Sequence, residues 1–66
     1  MPLEYDSDIE VIRSLMTDDY YTARTYAVLA LKKLNKLEKL DKKILKQVIK
    51  IDDGAARTYA NELLDQ

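Results

Sequence analysis

A five-residue phrase occurs twice in this chain, and the repetition constrains the fold more than any other feature. Ala23-Arg24-Thr25-Tyr26-Ala27 returns 33 residues later as Ala56-Arg57-Thr58-Tyr59-Ala60. Each copy follows a pair of aspartates, Asp18-Asp19 or Asp52-Asp53, and each leads into leucines. Carboxylates ahead of alanines four residues apart mark the start of a helix, because Asp accepts from the free N–H groups of a first turn. One helical unit used twice is the expected plan. A single glycine and a single proline leave little turn chemistry for a β fold. The expected class is all-α, with residues 1 to 66 forming one domain.

Residues 1 to 6 read as an acidic lead-in. Repeat unit 1 spans residues 7 to 35 and unit 2 spans residues 38 to 65. Asp6 or Ser7, with Glu10 three residues after Ser7, fits a capping box. Ile9, Ile12, Leu15 and Met16 then recur at helical spacing, which predicts a first helix over about residues 7 to 17. A second helix starts near Asp19, with Ala23, Ala27, Ala30, Leu31 and Leu34 as its stripe. It ends at Asn35, a residue that tolerates the left-handed conformation of a helix stop. A third starts near Glu38 or Asp41 and turns Leu40, Ile44, Leu45, Val48 and Ile51 inward. The fourth covers about residues 53 to 64. The alternative is a three-helix protein. Lys32, Lys36, Lys39, Lys43, Lys46 and Lys50 keep one face if a single helix runs unbroken from Asp19 to Ile51.

The unit consists of a short helix, a two-Asp corner and a helix that opens Ala-Arg-x-x-Ala. It resembles a HEAT-like α-helical repeat. The pattern is carried by Asp53, Ala56, Arg57 and Ala60, and by Asp19, Ala23, Arg24 and Ala27 with one extra residue before the Arg. The period is short for the family's usual ~40 residues. The resemblance implies four helices arranged as two helical hairpins. It also implies structural Asp–Arg ties between Asp19 and Arg24 and between Asp53 and Arg57. Members of that family are mostly protein-binding scaffolds, and a few bind nucleic acid through basic helices. Two units are fewer than the roughly three that stacked repeats usually need, so a compact four-helix array is expected.

The residue inventory excludes much chemistry. Without cysteine or histidine there is no thiolate metal site, and the commonest general base is missing. The paired aspartates read as helix caps, since nothing nearby supplies further metal ligands. No enzyme activity, metal or cofactor is expected. No apolar run approaches the ~18 residues of a membrane span, and the acidic start lacks the parts of a signal peptide. The expected compartment is the cytoplasm. Charged residues make up 35% of the chain, above the ~25% typical of soluble domains, which suits a thermophilic source and equally a charged mesophilic helical protein.

Two surface features remain. Tyr20 and Tyr21 sit at the first corner where the second copy has Gly54 and Ala55, and adjacent tyrosines on a turn suit a protein-binding hot spot. All eight lysines lie between Lys32 and Lys50. Set against Glu38 and Asp41 they leave that stretch at +6, while the whole chain is at −1. Lys36, Lys39, Lys43, Lys46 and Lys50 form a candidate basic patch. The expected function is a small non-enzymatic protein–protein interaction module, an accessory or adaptor subunit of a larger complex. The alternatives are a nucleic-acid-associated protein, such as an accessory subunit of a replication or transcription complex with the lysine face on phosphates, and a self-associating helical bundle. The stretch lacks arginine and aromatic residues, so any nucleic-acid binding would be weak, sequence-blind and salt-dependent.

Overall fold

A computed structural model describes residues 5 to 66, with side chains from residue 9 onward. The chain is all-α, with four helices among the described residues: α1 Tyr5–Met16, α2 Tyr21–Leu34, α3 Lys39–Ile51 and α4 Ala55–Leu64. α1 packs against α2 and α3 against α4, giving two helical hairpins. α2 lies along α4, and α1 meets α3 over a smaller area. The acidic lead-in falls largely outside the described residues.

Asn35 decides between four helices and three. Its backbone is left-handed (φ 51°, ψ 42°), and its N–H donates to the carbonyls of Leu31 and Lys32. Asn visits this region more easily than most residues because its short side chain can bond locally. The continuous helix from Asp19 to Ile51 is therefore ruled out. α3 then restarts after Glu38, whose N–H donates to the Asp41 carboxylate at 3.0 Å.

Other boundaries differ from expectation in instructive ways. α1 opens at Tyr5, so Asp6 and Ser7 lie inside it and do not cap it. α2 and α4 each open two residues past the second aspartate of their pair, with Tyr20 and Gly54 at the N-cap positions. The first aspartate of each pair still serves the corner. Asp18 Oδ1 accepts the Tyr20 N–H at 2.9 Å, and Asp52 Oδ1 accepts the Gly54 N–H at 2.8 Å. Each is an Asx turn, with a short side chain taking the amide two residues on.

The core is built from Ile12, Met16, Ala27, Val28, Leu31, Leu45, Val48, Ala56, Ala60 and Leu63. Alanines at 27, 56 and 60 bring helix backbones together with little side-chain volume between them. Leu40 and Ile51 were expected to turn inward, but both are exposed. The inward face of α3 is the 41, 45, 48 row, and it starts with an aspartate.

Candidate docking surface

Two guanidinium–carboxylate clasps hold the hairpins together. Arg13 on α1 donates from Nε and Nη2 to the two Asp41 oxygens, at 2.6 and 3.1 Å. Arg24 on α2 donates from Nε to Asp52 Oδ2 at 2.9 Å, and its Nη1 reaches the carbonyls of Asp18 and Asp19 at 2.8 and 3.0 Å. Asp41 is fully buried, and the Arg13 side chain is 19% exposed. Fork-to-carboxylate pairs of this kind fix orientation as well as energy. Each clasp joins residues 28 apart, one from each hairpin.

The carboxylates are tuned accordingly. Burial pushes the Asp41 carboxyl up. The Arg13 hydrogen bond, the Glu38 N–H and the Arg13 charge together outweigh burial and hold it below its ordinary value. Asp52 is likewise lowered. Burial is opposed there by the N–H groups of Gly54 and Arg57 and by Arg24. The hydrogen bonds that Arg13 donates to Asp41 raise its guanidinium still further. Both aspartates are therefore ionised in the folded protein at neutral pH.

The arginines thus connect differently from the ties that the sequence resemblance implied. Arg24 holds the side chain of Asp52 and only the backbone carbonyl of Asp19. Asp53 and Arg57 are exposed, and neither has a side-chain hydrogen bond or ion pair among the described residues. Asp41 and Arg13 went unnoticed at the sequence level. The available signal was Asp41 itself, an acid at the head of an apolar i, i+4, i+7 row with Leu45 and Val48. A carboxylate in that register requires a cation from a neighbouring element.

The first clasped corner carries the tyrosines. Tyr20 and Tyr21 are 62% and 65% exposed, with ring centroids 5.6 Å apart and planes tilted by 54°. The Asx turn at Asp18 and the Arg24 grip on two consecutive carbonyls fix the backbone beneath them. Tyr26 and Leu29 continue the apolar surface along α2, beside Ala30 and Lys33 in a shallow groove. Tyr26 is itself 65% exposed. Its repeat equivalent Tyr59 is half-buried against the core, with Lys32 Nζ 5.8 Å from its ring centroid and Glu62 bonded to that lysine at 3.5 Å.

Lys39, Lys43, Lys46 and Lys50 are exposed on α3 and take part in no ion pair among the described residues, and Lys50 lines a shallow pocket with Asp18, Asp19 and Arg24 of the first corner. Lys36 lies in the connection before α3 and is exposed as well. No group of three or more acidic, His or Cys side chains that could hold a metal ion occurs among the described residues. No helix among them is long and apolar enough to cross a membrane. Compared with known proteins, the chain matches no family model, no curated relative and no solved structure.

Proposed function

We propose that this chain is a small non-enzymatic protein–protein interaction module, an accessory or adaptor subunit of a larger cytoplasmic assembly. The observation that carries this reading is the Tyr20–Tyr21 pair, two large rings displayed to solvent on a backbone locked by Asp18 and Arg24. Tyrosine at an interface supplies much contact area for little lost rotamer entropy, and rigid presentation lowers the cost of binding further. The mode is docking of a preformed helical corner, with the lysines of α3 steering an acidic partner by long-range attraction. The HEAT-like pattern of the sequence agrees with a scaffold role.

The test is affinity purification of the tagged chain from its native host, with and without nuclease. A stoichiometric protein partner that survives nuclease and disappears with the Tyr20→Ala/Tyr21→Ala double variant is the expected result. A partner retained undiminished by that variant would sink the assignment of the surface. A second reading, binding to a nucleic-acid backbone, is favoured by Lys39, Lys43, Lys46 and Lys50, which are exposed and in no ion pair among the described residues. It requires a duplex mobility shift at low salt that vanishes at moderate salt.

A further inference from the structure

The two hairpins are joined by an asymmetric contact whose two halves are both left open at the ends of the molecule. Advancing by 33 residues carries Val11 to Ile44, Leu15 to Val48, Tyr26 to Tyr59 and Ala30 to Leu63. In every pair the second residue is the more buried. Val11 and Tyr26 are exposed where Ile44 and Tyr59 are half-buried, and Leu15 and Ala30 are half-buried where Val48 and Leu63 are buried. The second hairpin gains this burial on the side that meets the first, where Lys32 covers Tyr59 and Arg24 closes on Asp52. On the first hairpin the same side leaves Val11 and Tyr26 exposed among the described residues.

The polar half repeats too. Asp18 and Asp52 occupy the same Asx turn, each accepting the amide two residues on. Asp52 is clasped by Arg24, while Asp18 has no ion pair among the described residues. Arg57 is the repeat equivalent of Arg24. It is exposed at the start of α4 and has no side-chain partner among the described residues. The second hairpin therefore offers a guanidinium. The first offers an exposed tyrosine and a carboxylate, the latter in a shallow pocket that Lys50 also lines. Arg57 and Asp18 are complementary in charge.

We propose that copies of this chain associate head to tail, the second hairpin of one stacking on the first hairpin of the next. Arg57 then closes on Asp18 of the next copy, as Arg24 closes on Asp52 within the chain, and Tyr26 of the next copy is covered as Tyr59 is. A contact between two different surfaces propagates into open chains unless its rotation closes a ring. Asn61 stands where the covering side of the first hairpin has Val28, and Asp65 stands where it has Lys32. The intermolecular joint is thus more polar than the internal one, and association is reversible and weakened by salt. The inference does not depend on Tyr20 and Tyr21, which stay unchanged in its test.

Sedimentation equilibrium at low ionic strength reads the outcome. The wild-type mass rises with concentration from the 7.7 kDa monomer. Arg57→Asp and Asp18→Arg each lower the association constant at least about tenfold, since each sets like charges opposite one another. Mixed in equal amounts the two variants regain association, because every joint between unlike copies again pairs Arg with Asp. A wild type that stays monomeric at millimolar concentration overturns the proposal. So does a mixture that fails to recover, or swapped variants that associate like wild type. Circular dichroism checks that Asp18→Arg folds. If it does not, Tyr26→Lys leaves the corner intact and must also lose association, and wild-type behaviour of that variant refutes the stacking.

Discussion

Replacing Arg13 by Met tests whether the clasps hold the hairpins together or merely decorate them. Met keeps most of the aliphatic volume and removes the fork. Asp41, with no exposed surface, then keeps only the Glu38 N–H as a partner. Removing one member of a buried pair typically costs about 3–5 kcal/mol, because the remaining charge is neither solvated nor neutralised. A domain has only about 5–15 kcal/mol to lose, and one this small belongs near the lower end. Urea unfolding at pH 7, followed by far-UV circular dichroism, should show Arg13→Met shifted towards zero denaturant or unfolded outright. Adding Asp41→Asn should restore roughly 1–3 kcal/mol, because a neutral amide is far cheaper to bury than a carboxylate. The Arg13→Met deficit should also shrink on acidification, since a protonated Asp41 no longer needs the guanidinium. A loss below about 1 kcal/mol, typical of exposed pairs, would refute the reasoning and make the Arg13–Asp41 bond a surface contact in energetic terms.

Two further predictions follow from single groups. The carboxyls of Asp41 and Asp52 are lowered on folding, so their contribution is fully present above the ordinary value of 3.8 and is lost as pH falls through the folded values. Thermal melts should change little between pH 7 and about pH 5 and then fall steeply below about pH 4, with the unfolded state taking up protons first. At Asn35, Val should cost about 1–2 kcal/mol because a β-branched residue resists the left-handed region, while Gly should be neutral or stabilising by up to ~1 kcal/mol. Chemical denaturation of the two variants checks both signs.

What could be read from the sequence divides along physical lines. The four helices were visible because apolar spacing and an αL-tolerant Asn35 are local signals. The failure of the long-helix alternative follows from that same residue, whose preference outweighs a lysine row that merely permits continuity. The corners were half visible. Asp18 and Asp52 do organise the turns, but Tyr20 and Gly54 take the cap positions, a shift within the normal uncertainty of helix ends. The partner of each arginine was not visible. Spacing within one helix can bring Arg57 towards Asp53 or Arg24 towards Asp19, but only the packing of two hairpins brings Arg24 to Asp52 and Arg13 to Asp41. Leu40 and Ile51 were misassigned for a related reason. With Asp41 turned inward, the buried row rotates away from them.

The clasps also explain how so sparse a core selects one arrangement. Ala27, Ala56 and Ala60 allow close approach but offer little relief for interlocking, so the apolar surfaces alone would tolerate several offsets between hairpins. Two bidentate or forked pairs, one near each end of the α3 helix, admit only one. Substituting all four residues with apolar side chains of similar size should therefore separate stability from uniqueness. Replacing buried ion pairs in this way is often neutral or stabilising by about 1–4 kcal/mol, so the unfolding midpoint should hold or rise. The loss should appear as exchange-broadened amide signals along the α1–α3 and α2–α4 contacts in NMR spectra, as the hairpins sample more than one register. A variant that is equally stable and gives sharp, fully dispersed signals would show that the small apolar core specifies the stacking unaided. The ion pairs would then serve the corners on which the tyrosines stand.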